Sequence, residues 1–359
     1  MPKQFRVLDQ FMASLGDKEA TYNAGPAAWT IGPAYQLYEF GDAFVVWDDQ
    51  IITDRDLVHG SQFATRSEII RQDVRFVYNE PRVRPVPLAG FAALVGGTPT
   101  VAQDAALVAY RHKVVPVAAD VALPSIAVQE KASAEQYMYY GVKCDTFALR
   151  RNGAFWSMEV GLIGSGTRAV SATAFPAKVT EVPLRWGDTY CWIETPAAIT
   201  ISATPTQGLE DISSGTPDAL TTRLLDAEFR VSNDLQAEDG YAPAGGIVRS
   251  RLDHGPARGA NIRLDVIVDP ATIAAERAYY DSQVDVCVEL ENKSTVVVAA
   301  TGAFYFGFDL IIPKVRLSPI ARGVRDGFNI ITLAGDCCDD GTNPLWILYT
   351  YNAQAAYLA

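Results

Sequence analysis

Histidine is scarce in this chain: His59, His112 and His254 are the only three. None belongs to an H-E-x-x-H or H-x-H pattern and none clusters with cysteine, so the usual ligand sets of metal hydrolases are missing. Cysteine is sparse as well. Cys144, Cys191, Cys287, Cys337 and Cys338 form no C-x-x-C pair, and thiols scattered through predicted strands read as buried side chains of a reducing compartment. No P-loop lysine follows Gly164-Ser165-Gly166 or Gly245-Gly246, and the glycines of 161–166 neither meet the dinucleotide spacing nor open a helix. Asp253-His254 pairs an acid with a base but has no serine or cysteine elbow beside it, so it reads as a loop salt bridge or a solvated turn. No run approaches the roughly 18 apolar residues of a membrane-spanning helix. The stretch Met1–Ala20 lacks an apolar core with a small-residue cleavage site, so no signal peptide is expected and cytoplasmic synthesis is the default. These absences leave no expected cofactor, metal, membrane contact or catalytic activity.

Basic charge is also in deficit. The 30 Lys and Arg face 42 Asp and Glu, a net charge of −12. Gripping nucleic acid by counterion release calls for a basic face, which this balance argues against. It does not argue against a wall of one sign past which phosphates slide, and it equally fits the acidity common among soluble bacterial proteins. The acids at Asp48, Asp49, Asp54 and Asp56 could form a carboxylate pair for glycoside chemistry, but a solvated loop is the preferred reading. The turn from Gly335 to Gly341 carries vicinal Cys337-Cys338 and three aspartates, but it misses the EF-hand spacing, and one acidic turn holds a cation weakly.

What is present is β pattern. Hydrophobic content of 49% with 20% charged residues is globular, and 359 residues suffice for two domains of ordinary size. Alternation marks strands at Ser125–Gln129, Val142–Ala148 and Phe155–Ile163, with Asn152-Gly153 supplying a tight hairpin turn. Further strands are expected at Ala43–Trp47, Ile69–Tyr78, Asp226–Ser232, Asn261–Val268, Val284–Glu289, Thr295–Ala300, Ala303–Leu317, Asn329–Leu333 and Leu345–Tyr351. A strand pair about Gly187-Asp188 is expected over Thr180–Ile193. Pro81, Pro85 and Pro87 interrupt the strand before them, making it an edge or a bent one. Thr98–Tyr110 reads as a short helix or a strand, and Asp269-Pro270 opens a helix over Ala271–Ser282. Residues 1–40 read as an arm, Thr53–Ser67 as a long exposed loop, and Thr204–Thr222 as a segment that connects rather than packs.

The pattern occurs twice. Val74–Asn79 and Asp226–Asn233 are each followed by a proline-bearing stretch. Lys143–Gly164 and Lys314–Gly335 each run strand, basic turn, strand and closing glycine. The copies lie roughly 155 to 171 residues apart, about half the chain. The expected organisation is two similar β domains, 1–180 with an N-terminal arm and 181–359.

His112-Lys113-Val114, Leu123-Pro124-Ser125-Ile126, Gly141-Val142-Lys143-Cys144 and the closing Gly161-Leu162-Ile163-Gly164 resemble the strand pattern of the major tail tube proteins of long-tailed (siphophage-type) bacteriophages. With the second copy, the resemblance covers most of the chain. It implies a mainly β (α+β) fold of tandem sandwich or squashed-barrel units, each with a flanking helix, joining sheet to sheet into rings of three duplicated chains, or of six. It implies a structural virion protein without catalysis, made and assembled in the host cytoplasm. Its rings stack into the tail tube, with an acidic lumen as the reading that fits the net charge. The implied partners are the chain itself, a tape-measure protein, tail terminator and distal tail proteins, and DNA that passes without specific binding. The loop carrying Asp49, Asp54, Arg55, Asp56, His59 and Arg66 matches the hairpin loop that reaches the adjacent ring. A carbohydrate-binding β-sandwich or fibre-type virion protein is the alternative, since six Trp and 16 Tyr leave room for a stacking platform. A tube protein of a contractile tail shares the fold.

Overall fold

The computed structural model of the chain describes residues 4–7, 10–13, 15, 18–22, 43–54, 66–118, 120–132, 135–171, 181–195, 200–202, 204–213, 218–241, 249–270, 274, 277–279 and 285–358. Strands β1 (Gln4–Val7) and β2 (Gln10–Ala13) precede a long hairpin of β3 (Ala43–Asp54) and β4 (Arg66–Glu80). Helix α1 (Pro85–Gly96) follows, then β5 (Thr100–Gln103), β6 (Tyr110–Val114), β7 (Ile126–Ala132), β8 (Glu135–Asn152), β9 (Phe155–Gly164) and β10 (Arg168–Val170). A 3-10 turn at Trp186–Asp188 leads into β11 (Thr189–Glu194), β12 (Thr200–Ile201), β13 (Ile212–Ser213), β14 (Asp218–Ala219), β15 (Leu224–Ser232) and β16 (Leu235–Tyr241). The chain ends with β17 (Arg249–His254), β18 (Gly259–Ile267), β19 (Val286–Val297), β20 (Tyr305–Leu317), β21 (Ala321–Arg325), β22 (Phe328–Cys337) and β23 (Ile347–Asn352).

The protein is mainly β, and its sheets are antiparallel. Nineteen strands belong to one pairing network, which does not close into a barrel among the described residues. One scheme of pairing occurs in both halves. In the first, β3 pairs with β4, β4 with β9, β9 with β8, and β8 with β7 and β10. In the second, β15 pairs with β18, β18 with β22, β22 with β21 and β20, and β20 with β19 and β23. An added strand extends each scheme, β2 on β7 and β11 on β19. A helix follows β4, and helical residues at Ala274 and Arg277–Tyr279 follow β18.

Two-residue turns set the register. Gly153 at φ 60° lies between the flanking pair Asn152 and Phe155, and Asp326 and Gly327 at φ 52° and 83° lie between Arg325 and Phe328. Positive φ on turn residues gives hairpins the twist their strands need. Once these turns are aligned, Leu149 corresponds to Arg322, and the ladders carry the correspondence on to Ala43 and Ala227, so Asp226–Asn233 matches β3 and not, as expected, Val74–Asn79, whose counterpart lies in β18.

The two halves share a core. All of α1 is buried, against β6, β8, β20 and β23. Phe229 meets Trp346 edge-on at 6.0 Å, and Trp156 meets Phe308 at 5.2 Å. Asn233 donates to the carbonyl of Val95 at 3.2 Å and to that of Cys144 at 2.9 Å, which ties the second half to the end of α1.

Several expectations need correcting. The strand before the prolines is not an edge: β4 pairs with β3 and β9, and Pro85 and Pro87 follow it in the first turn of α1, where missing N–H groups cost nothing. The helix is buried on every side, so it shows no polar face. Thr98–Tyr110 contains β5, a turn and the start of β6, not a helix. Over Thr180–Ile193 only β11 is a named strand among the described residues. The N-terminal arm contributes β1 and β2 as sheet strands, and Glu19 accepts from Ser125 Oγ at 2.7 Å and from the Gly141 N–H at 2.9 Å. The segment Thr204–Thr222 packs: Gln207, Asp211, Ile212 and Leu220 are buried. Most of the helix expected over Ala271–Ser282 lies outside the described residues.

Candidate assembly edges and a buried carboxylate cluster

The halves meet strand to strand. Thr146–Arg150 of β8 pair with Ser232–Glu228 of β15. The ladder is reinforced where it ends: the Asn233 N–H donates to the Asp145 carbonyl at 2.7 Å, and the Leu235 N–H donates to Asp145 Oδ1 at 2.8 Å. Arg151 donates to the carbonyl of Leu225. Buried Lys143 donates to the carbonyl of Leu252 at 2.6 Å and approaches Asp253 at 3.8 Å, so Asp253 is half of an ion pair rather than of an acid–base dyad. A cleft of about 690 Å³ runs along the joint, with Glu159, Arg230, Arg258 and Asp336 on its walls.

Because the pairing scheme repeats, each partner in this joint has a counterpart at the far side of the other half. The counterpart of Ala148–Arg150 is Ala321–Gly323 in β21. Among the described residues β21 pairs only with β22, and Ala321–Val324 are exposed. In a two-residue hairpin the residues flanking the turn bond to each other, so the backbone groups of Val324 and Arg322 point outward from the ladder. Val324 is 72% exposed and Phe328 50%. The counterpart of Glu228–Val231 is Phe44–Trp47 in β3, and there β1 is paired. The N-terminal strand thus occupies on β3 the edge that β15 gives to β8.

The loop residues fall as follows. Asp49 lies within β3, opposite Gln72, and Asp54 ends β3 opposite Arg66, the first residue of β4. Thr53 and Ser67 also pair, so both ends of the loop expected over Thr53–Ser67 belong to the strands. Arg55, Asp56 and His59 lie outside the described residues.

Of the other candidates, His112 is wholly buried, its Nε2 2.8 Å from the Gln354 carbonyl, and burial pushes its pKa down to about 4. It is a neutral core residue. Of the acids beside Cys337-Cys338, Asp336 faces the cleft, while Asp339 and Asp340 are turned inward to their own loop. Asp339 accepts from the Gly341 N–H, and Asp340 from the N–H groups of Thr342 and Asn343 and from Asn343 Nδ2, at 2.6 to 2.8 Å.

A buried cluster is not apparent from the sequence. Asp309 on β20 lies between Glu291 on β19 and Tyr349 on β23. Glu289 shares the face of Glu291, since alternate residues of a strand point the same way. The segment carrying β12, β13 and Asp211 covers this face. It is held by the acids: Glu289 accepts from the Asp211 N–H at 3.1 Å, and Glu291 from the Gly208 N–H at 2.6 Å. Asp211 in turn accepts from the Thr206 N–H at 2.9 Å. Burial pushes Glu289 and Glu291 up to about 8 and Asp211 to about 6, and burial with the neighbouring acids raises Asp309 well above the usual carboxylate range. The signal is present as Glu289 and Glu291 in alternation with valine and leucine, but alternation alone reads as a polar outer face. Compared with models of known protein families and with curated protein sequences, the chain matches neither.

Proposed function

We propose that this chain is a structural subunit that polymerises head to tail into rings, the rings stacking into the tail tube of a long-tailed bacteriophage. The observation that carries the reading is the strand joint between the halves together with its two unequal counterparts. A joint of β8 to β15 inside one chain, an edge on β21 that is open among the described residues and a matching edge on β3 form a heterologous pair of surfaces. Such surfaces build rings when the rotation closes, and an exposed strand edge, normally a hazard, becomes the contact. Each chain would supply two β-sandwich or squashed-barrel units, so three chains close a ring of six. The β3–β4 hairpin tip would reach the next ring. DNA would pass through the acidic lumen without specific binding, and tape-measure, terminator and distal tail proteins would contact the tube. No catalytic step belongs to this reading.

The test is electron microscopy of the purified chain in negative stain as its concentration is raised. Hollow tubes with a regular axial repeat support the reading, and end-on averages distinguish three chains from six. A compact particle at every concentration that binds glycans overturns it in favour of a carbohydrate-binding module.

A further inference from the structure

We propose that Asp211, Glu289 and Asp309 bind a divalent cation of the calcium class, held against the sheet beneath residues 204–213. One oxygen from each of the three carboxylates lies within 4.8 Å of the others. Calcium takes oxygen ligands at about 2.3–2.6 Å, so donors around one ion stand up to about 5 Å apart. The group that points to a ligand is Asp309. It is 1% exposed, and neither of its carboxylate oxygens has a hydrogen-bond partner among the described residues. The hydroxyls of Tyr349 and Tyr351, both buried, are also without partners among the described residues, and both residues fall on the Asp309 side of β23. A buried carboxylate facing other acids is costly unless a cation or a proton neutralises it.

Arg111 offsets part of the charge on Asp309 and Asp211, and Lys293 part of that on Glu291, but at Asp309 burial and the neighbouring acids outweigh Arg111. Arg111 donates to the Pro205 carbonyl at 3.4 Å and lies over the Tyr349 ring, and Lys293 donates to the Gln207 carbonyl at 2.7 Å. Both hold the cover. The backbone donors to Glu289 and Asp211 orient those carboxylates, as outer-shell partners of a metal site do. The oxygen-only donor set selects a hard cation. A buried, protein-lined site suits calcium over magnesium, which keeps its waters. The neighbouring Cys287 thiol is not among the atoms gathered within that distance. A bound ion would clamp the segment bearing Asp211 to β19 and β20.

The full chain, freed of metal by chelator, is titrated with terbium and then with calcium, and its thermal unfolding is followed in parallel. Terbium emission sensitised by the adjacent tyrosines, displaced by calcium at one site per chain, is expected. A calcium-dependent rise in melting temperature that equal ionic strength of sodium chloride does not reproduce should accompany it. Asp309→Asn should weaken calcium binding at least tenfold while melting, without calcium, no lower than the parent. Asp340→Asn, on the exposed turn, should leave the emission intact. The proposal is overturned if the parent chain shows neither emission nor a calcium-dependent shift. It is equally overturned if Asp309→Asn responds like the parent, or if Asp340→Asn abolishes the signal. Should Asp309→Asn fail to fold, the parent titration with Asp340→Asn decides alone.

Discussion

Val45 and Phe229 hold matching positions in the two halves, yet Val45 lies opposite Arg6 of β1 while Phe229 lies opposite Leu149 of β8. The same edge is covered by the chain's own N-terminus in one half and by the neighbouring unit in the other. If assembly repeats the internal joint between chains, β1 must leave β3 before β21 of another copy can pair there. Removing residues 1–9 is therefore expected to keep the fold and lower the concentration at which tubes form. Sedimentation of assembled material over a dilution series measures this, and an unchanged or higher threshold rejects a guarding role for β1.

The open edge has its own test. The backbone N–H of Arg322 points away from β22, so Arg322→Pro removes an outward donor without breaking the hairpin ladder. Monomer stability should change by about 1 kcal/mol or less, the scale of an exposed substitution without a buried partner. Tubes should vanish. Tubes of normal diameter from this variant would show that β21 is not the contact.

Stacking should depend on the β3–β4 hairpin tip. Replacing residues 55–65 by Asn-Gly keeps the ladder closed at Asp54 and Arg66 with a turn that favours tight hairpins. Rings without long tubes are the expected product by electron microscopy. Full-length tubes would assign the contact between rings elsewhere.

Gly90 is where the N-terminal segment meets α1. A Cβ there would stand 2.6 Å from Leu15 Cδ1 and 2.9 Å from Leu15 Cβ, too close to accept without displacement. Gly90→Ala should cost about 1–3 kcal/mol despite better helix propensity, the usual range for overpacking. Leu15→Ala should cost about 2–5 kcal/mol alone. Together they should cost less than their sum, measured by urea unfolding, because the second removes the contact with Leu15 Cδ1 and leaves only that with Cβ.

Stability should fall as pH rises from about 5 to 8. Burial raises Glu80 to about 8 and Glu181 to about 7, outweighing Arg84, which lies 3.4 Å from Glu80. An unfolded glutamate releases its proton near pH 4.5, so between there and pH 8 the folded state holds protons that the unfolded state does not. That linkage stabilises at the acid end and is lost as pH climbs through the folded values. The buried acids around Asp309 shift in the same direction. Glu80→Gln keeps an acceptor for the Tyr78 hydroxyl, which donates to Glu80 at 2.9 Å, and should flatten the slope. Thermal melts in chelator at pH 5 and 8 provide the check.

The strands are legible in the sequence wherever one face is wet or a turn is explicit. Alternation and Asn152-Gly153 mark β8 and β9 because period-two patterning and positive-φ turns are local properties. Helix α1 is not legible, since burial on all sides removes the polar face that marks a helix and its prolines read as breaks. The cluster at Asp309 is hidden for a related reason. An acid alternating with apolar residues looks the same whether its face meets water or a cover drawn from another part of the chain. Only the tertiary structure sets Asp211 over Glu289 and Asp309, pairs β8 with β15, and lays β1 along β3. Those contacts join residues far apart in sequence, and strand pairing through backbone groups leaves no imprint on side-chain pattern to announce them. Composition and periodicity determined that the chain would be antiparallel β; which edges are covered, and by what, was decided by how the halves meet.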